Sequence, residues 1–254
     1  MVSLLSNYGK VYNQIENMNK VKVSLAWSGG KDSAFALWSL LKDERYEVVS
    51  LHTTFGEESR RVGLHGIHED LIQQQAESIG LPLDKLFYPA SQTNAAYEKV
   101  MSGYLKELKK RGVSHIAFGD IFLEDLKKYR EDQLRGMGME CVFPLWGNDT
   151  KSLLEEFLGH GFKTLVCAAD AALFEENQVG KVLSLELVQN AKKPIDPCGE
   201  NGEFHTFCYE GPIFQKPVDF DLGETISKAY KFKTDDGVEH SKKFWFKELK
   251  DFVQ

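Results

Sequence analysis

No run of about 18 consecutive apolar residues occurs in this 254-residue chain, so no membrane-crossing helix is expected. There are only four cysteines: Cys141, Cys167, Cys198 and Cys208. That is too few for a disulfide scaffold at this length and points to a reducing compartment, taken as the cytoplasm. Positive charge is also scarce, with 31 basic residues against 38 acidic ones and a net charge of −7. Sequence-independent nucleic-acid binding needs a basic face, and a membrane-surface protein needs a basic run; neither is expected here. The opening MVSLLSNYGKVYNQIENMNK has no cationic stretch followed by a long apolar one, so no signal peptide is read there. Internal repeats and low-complexity tracts are absent as well.

What remains has a globular balance, with 42% hydrophobic and 27% charged residues. The length suits one large domain, or one with a smaller companion. Residues 1–20 are polar and patternless and read as an N-terminal extension, with Met18 as an alternative start. From Val21 the pattern is regular. Strands are expected at 21–27, 46–55, 85–90 and 113–120, and helices at 32–43, 68–80, 93–112 and 124–138. Gly80 and Gly112 are placed to close two of the helices. Segments 141–146, 153–161 and 163–169 continue the alternation. Such a chain predicts an α/β fold, a parallel sheet with helices on both faces. Ligands in such sheets bind beyond the carboxyl ends of the strands, so the turns after Trp27, Phe55 and Phe118 are the places to look.

The rhythm changes after about residue 170, and the role of 170–195, including Lys181, stays open. Residues 228–252 read as a terminal β-hairpin around the turn DDG. Its aromatics Tyr230, Phe232, Phe244 and Phe246 would cover an edge strand, form a homodimer contact or pack in the core, the last being favoured.

The most informative stretch is Ser28-Gly29-Gly30-Lys31-Asp32-Ser33, between the first strand and the first helix. Two glycines allow a tight turn and a close approach to a ligand. The helix start adds free N–H groups and a positive dipole end, and Ser28, Lys31 and Ser33 add donors. The result is an anion cradle suited to phosphate. The spacing is neither that of a Walker A loop nor that of a G-x-G-x-x-G fingerprint. Asp32 beside phosphates implies a bridging Mg²⁺. The alternative is a common turn and helix cap.

The second dense stretch runs from Asp196 to Thr206 and carries Cys198, Glu200, Asn201, Glu203 and His205. In an extended segment Glu203 and His205 share one face, which suits amine binding or proton handling. The alternatives are a solvated acidic turn, a zinc site from Cys198, His205 and Cys208, and a nucleophilic Cys198.

SGGKDS (28–33) resembles the PP-loop of the N-type ATP pyrophosphatases, which cleave ATP between the α and β phosphates. With FGDI (118–121), YREDQL (129–134), FPLW (143–146), DPCGENGEFHTF (196–207) and GPIF (211–214), the chain resembles the diphthine–ammonia ligase family over roughly residues 21–215. The resemblance implies a HUP-type, Rossmann-like nucleotide-binding domain over 21–145 and a smaller α+β substrate domain over 146–254. It also implies that Ser28, Gly29, Gly30, Lys31, Asp32 and Ser33 hold the ATP phosphates, with Mg²⁺ at Asp32. Ala26 and Thr53 would flank the adenosine, and Gly119 and Asp120 would floor the cleft. Asp196, Glu200, Asn201, Glu203, His205 and Thr206 would line the acceptor side; Tyr129, Arg130 and Glu131 are further members of a matching motif.

The activity so implied is an ATP-dependent amide-forming ligase. A carboxylate is adenylated with loss of pyrophosphate, and ammonia then displaces AMP. The acceptor would be the diphthine of an elongation factor in an archaeal or eukaryotic setting. Lys31, Asp32, Glu200, Glu203 and His205 are the catalytic candidates, with Glu200 and Glu203 binding ammonium and taking its proton. Two other classes remain open at this point: a nucleotide-sensing protein without chemistry, and an RNA-modifying PP-loop enzyme, against which the acidic balance weighs.

Overall fold

A computed structural model describes residues 20–89, 94–233 and 239–251. The expected N-terminal extension with Met18 (Lys20 apart), the DDG turn and the Phe232 side chain lie outside the described residues. Five strands form a parallel sheet in the order β3-β2-β1-β4-β5: β1 (Val21–Ala26), β2 (Tyr46–Gly56), β3 (Leu83–Tyr88), β4 (His115–Ala117) and β5 (Glu140–Val142). Helices α1 (Lys31–Lys42), α2 (Glu69–Ile79), α3 (Asn94–Lys110) and α4 (Glu124–Gly136) connect them. This is the expected Rossmann-like alternation. The chain runs outward from β1 to β3, then returns to place β4 against the other side of β1. The crevice therefore opens between β1 and β4, where the strand order reverses.

Two expected strands are shorter than their apolar runs suggest. Pro144 has no N–H to extend β5, and Trp146 N instead donates to Phe143 O (3.2 Å) in a turn. β4 stops at Ala117, although Phe118 N still donates to Val142 O (2.9 Å). Gly80 closes α2 at φ 83° and donates back to Ala76 O.

After α5 (Thr150–Gly159) the chain builds a second, antiparallel sheet in the order β7-β6-β9-β8. Its strands are β6 (Lys163–Asp170), β7 (Phe204–Glu210), β8 (Phe220–Lys233) and β9 (Glu239–Asp251). The short helix α6 (Leu185–Gln189) lies in the long β6–β7 connection. The terminal hairpin thus begins at Phe220, earlier than expected, because β8 pairs with β9 all the way down to Phe220↔Asp251. Phe244 and Phe246 are buried, as core packing requires, whereas Tyr230 stays partly exposed.

One apolar core runs through both sheets, with Trp27, Leu37 and Phe55 on one side and Val166 and Phe207 on the other. Phe35, Phe157 and Phe162 join α1 to α5 and the start of β6, with Phe157 and Phe162 stacked at 4.6 Å. Gln75 of α2 is a polar group inside this core. Its Oε1 accepts from Trp27 Nε1 (2.9 Å), and its Nε2 donates to Gly29 O (2.9 Å) and Cys208 O (2.5 Å). It pins the first sheet's main loop to the second sheet. Gln75→Ala leaves those partners buried and opens a cavity. It should lower the unfolding free energy by about 3 kcal/mol, measured by urea titration; a change under about 0.5 kcal/mol would contradict this role.

Candidate functional site

The loop after β1 turns at Gly29, whose φ of 80° only glycine adopts without strain. A Cβ there would lie 2.6 Å from Ile72 Cδ1 and 2.7 Å from Gln75 Oε1. A Cβ on Gly30 would lie 2.8 Å from His65 Cε1 and 3.0 Å from Thr206 O. A Cβ on Gly119 would lie 2.9 Å from the carbonyl of Asp32.

Strand β7 holds this loop from the other side. Cys208 N donates to Gly29 O (2.8 Å), and Lys31 N donates to Thr206 Oγ1 (2.9 Å). Thr206 O lies 3.0 Å from His65 Nδ1. Within the loop Ser28 Oγ lies 3.3 Å from Ser33 Oγ and accepts from Gly30 N (3.2 Å). The positive end of α1 faces into the same crevice.

Two cavities meet there. The first, about 270 Å³, is lined by Ala26, Ser28, Ser33, Thr53, Gly119 and the unpredicted His52 among others. The second, about 280 Å³, is lined by Lys31, His65, Leu126, Phe204, His205 and Thr206 among others. Asp32, Asp120, Arg130 and Glu200 stand on the walls of both. Of the predicted nucleotide residues, Ala26, Ser28, Asp32, Ser33, Thr53, Gly119 and Asp120 line the first space and Lys31 the second; of the predicted acceptor residues, Glu200, His205 and Thr206 line the second, while Gly29, Gly30, Asp196, Asn201 and Glu203 line neither.

The electrostatics of that shared wall are mixed. Lys31 is buried and bonded to Asp32. Burial works against its charge, but Asp32 beside it, with Cys198 and Glu200 near, raises it above the ordinary lysine value. Burial also raises Asp120, against the pull of Arg130, whose Nε lies 2.6 Å from Asp120 Oδ2. Burial pushes Glu200 up to about 7, with Asp32 and Asp120 adding to it, although Ile121 N donates to its Oε1 (2.8 Å). A carboxyl at that value exchanges a proton near neutrality.

The rest of the acidic motif is turned into its own loop. Asp196 Oδ1 accepts from Cys198 N and Glu200 N, both at 3.0 Å. Glu203 Oε1 accepts from Asp196 N (3.0 Å) and Asn201 Nδ2 (3.1 Å). Asp196, Asn201 and Glu203 therefore shape the loop that presents Glu200, and Glu203 does not share a cavity wall with His205. Burial pushes Cys198 up to about 12, and its Sγ donates to Thr150 O (3.3 Å), which is a packed thiol rather than a nucleophile. Among the described residues no three of His, Cys, Asp and Glu group as metal ligands, which disposes of the Cys198–His205–Cys208 alternative.

Sequence reasoning missed His52, His65 and Gln75. His52 sits next to Thr53 at the carboxyl end of β2, where ligand-facing residues belong. Gln75 occupies the apolar face of α2 beside Leu71, Ile72 and Ala76, a polar residue where the period asks for an apolar one. His65 lies in the loop between β2 and α2 and carried no signal.

A parallel α/β sheet with a glycine turn at its reversal point, closed by a second sheet, defines the class: a two-part α/β protein with a polar crevice where the parts meet. The chain belongs to the diphthamide synthase family: residues 21–141 match the family's diphthamide synthase N-terminal domain and residues 149–247 its C-terminal domain. It is similar to curated proteins named diphthine–ammonia ligase. Identity is 25% with that of Mus musculus and 26% with that of Homo sapiens, each over 81% of this chain and 85% of the relative. It is 27% with that of Schizosaccharomyces pombe, over 75% of this chain but only 34% of that longer relative.

Buried His52, His65 and His205 are all held below the ordinary value of 6.5, burial being the first cause, and His52 falls to about 3. Their folded forms are neutral, so below about pH 6.5 the unfolded chain takes up protons that the folded chain refuses. Each histidine withdraws stability as the pH drops from 7 to 5, His52 alone by about 2 kcal/mol at pH 5, while Glu200, raised to about 7, takes up its proton in the folded chain and opposes the trend. Urea unfolding of the wild type and His52→Asn at the two pH values isolates the His52 share, the variant losing about 2 kcal/mol less than the wild type. The same pH dependence in both proteins would contradict the neutral, buried assignment.

Proposed function

We propose that this protein is an ATP-dependent amide-forming ligase acting on diphthine or a diphthine-like carboxylate. The observation that carries the reading is the adjoining pair of cavities with Asp32, Asp120, Arg130 and Glu200 common to both. A reaction that joins two substrates at one atom needs such a junction. Membership of the diphthamide synthase family and the names of the mammalian and yeast relatives support the same reading.

The residues fit the substrate. The glycines at 29, 30 and 119 let the loop pack where a Cβ would strike Ile72, His65 and the Asp32 backbone, and the loop, Ser28, Ser33 and the α1 terminus would supply donors for a polyphosphate. Ala26, His52 and Thr53 would flank the base and sugar. Asp32 would hold Mg²⁺, which would neutralise phosphate charge when bound. Lys31, held charged by Asp32, and Arg130 stabilise negative charge as the acceptor oxygen bonds to the α-phosphorus and the bond to the β-phosphate breaks. His65, His205, Phe204 and Thr206 would line the acceptor's side.

In the second half-reaction ammonia bonds to the acyl carbon and the C–O bond to AMP breaks. The attacking nitrogen must lose a proton. Glu200, at about 7, takes it, and at neutral pH a large share of the carboxylates is ready to do so. Glu203 would act through the loop, by fixing where Glu200 points. Free ammonia is the donor, and the site of action is taken to be the cytoplasm. A nucleotide sensor would not need the Glu200 arrangement, which is why the enzyme reading is preferred.

Two outcomes test the roles. Asp32→Ala should cut pyrophosphate release from Mg·ATP by at least about 100-fold, with the fold unchanged by circular dichroism; near-normal release would remove Asp32 from the phosphate site. Glu200→Gln should leave pyrophosphate exchange nearly intact and slow amide formation by about 100-fold or more. At fixed free ammonia, the wild-type amide step should rise as the pH passes about 7, where Glu200 loses its proton, and the variant should lack that rise. Equal loss of both half-reactions would overturn the base assignment.

A further inference from the structure

A further, much smaller cavity adjoins the two that meet at the crevice. Its lining follows from helix spacing. Lys31 and Asp32 sit one turn before Phe35 on α1, and Leu154 sits one turn before Phe157 on α5, so each helix turns one side toward it. Leu145, in the turn after β5, and Cys198, in the acidic loop, close it. Its volume is about 10 Å³, close to the least space that holds one water-sized molecule.

The wall is dry and apolar. Phe35, Leu145, Leu154, Phe157 and Cys198 are each no more than 4% exposed. The Cys198 thiol is neutral and donates to Thr150 O (3.3 Å). Of the described residues that line the cavity, only Lys31 and Asp32 carry charge, and they are bonded to each other. Both also line the acceptor cavity, and Asp32 lines the nucleotide cavity as well. This ion pair is therefore a wall common to the small cavity and to the junction where an acyl adenylate would form. Cys198 and Glu200 share one turn, in which Asp196 Oδ1 accepts from both backbone N–H groups at 3.0 Å. That turn gives Cys198 to the small cavity and Glu200 to the junction.

We propose that this cavity is the ammonia site, which takes up one molecule of neutral ammonia and delivers it past Lys31 and Asp32 to the acyl adenylate. The proposal rests on the ligase reading and adds to it where the second substrate is held and what keeps larger amines and water out. Room for a single non-hydrogen atom excludes methylamine. An ammonium ion would give up its hydration to apolar walls and meet the Lys31 cation, so the neutral form is selected. A buried water needs about two to four polar partners, and the two polar groups here already engage each other. Ammonia bonds to water less strongly than water does and loses less on entering. A charged Lys31 donates to the nitrogen lone pair but takes no proton from ammonia. At the junction the nitrogen bonds to the acyl carbon and the C–O bond to AMP breaks. AMP leaves with the bonding electron pair, and the surplus proton passes to Glu200.

The test uses the full-length enzyme with a diphthine-bearing elongation factor. It measures pyrophosphate exchange, which needs no amine, and amide formation with ammonium chloride or methylamine, each expressed as the free base. The wild type should favour ammonia over methylamine in kcat/KM by about 100-fold. Leu154→Ala widens the cavity and should narrow that preference by about 10-fold or more. Leu154→Phe fills it and should lower kcat/KM for ammonia by about 10-fold or more, while exchange and KM for ATP stay within about 2-fold in both variants. Intact exchange also shows that a variant is folded, and if Leu154→Phe does not fold, the amine preference of Leu154→Ala decides. Equal loss of exchange and amide formation in Leu154→Ala would make the cavity a packing space of the core and overturn the site. So would an unchanged amine preference in Leu154→Ala, or undiminished use of ammonia by a folded Leu154→Phe. Absence of acceptor-dependent exchange in the wild type would instead remove the ligase reading, and the ammonia site with it.

Discussion

The grip of strand β7 on the loop after β1 is the constraint on which the site depends. Gly29 O accepts from Cys208 N, and Lys31 N donates to Thr206 Oγ1, so the cradle is half built by the first sheet and half by the second. Gln75 ties the same carbonyl to Trp27 and to Cys208 O from the core side. Buried polar groups must be partnered, and here each partner belongs to a different part of the chain. The loop therefore has one arrangement, fixed before any ligand arrives, which is what a site acting through preorganised donors requires.

The same closure sets the charges. Bringing the 196–206 loop down on the crevice buries Glu200 near Asp32 and Asp120, with Lys31 and Arg130 between them. Three carboxyls in one partly dry space cannot all hold their charge equally well. Asp120 is partnered by Arg130 and Asp32 by Lys31, while Glu200 has one backbone donor and rises to about 7. The group least compensated is the one whose carboxyl is pushed up toward neutrality. Glu203, with a similar sequence context, is spent on its own loop instead.

The parts of this account legible in the sequence were those set by local rules. Alternating strand and helix periods gave the parallel sheet, and SGGKDS at the first strand end located the crevice, because glycine pairs and helix starts act over a few residues. The reading of Glu203 and His205 as neighbours on one face followed from strand alternation. It failed because Glu203 lies just before β7, in a turn whose hydrogen bonds aim it inward. His65 was illegible: its place beside His205 and Gly30 depends on a β2–α2 connection whose path only the packed structure decides. The role of Arg130 emerged from its motif only once α4 was seen to turn Arg130 toward Asp120 and leave Tyr129 exposed.

The most direct measurement of the central claim is phosphorus NMR of the nucleotide products formed with a diphthine-bearing acceptor and ammonium. The account predicts AMP and pyrophosphate in equal amounts, matched by one amide per turnover and dependent on both acceptor and ammonium. ADP and orthophosphate as the products would contradict it, since cleavage would then fall on the wrong side of the β-phosphate for a cradle that releases pyrophosphate.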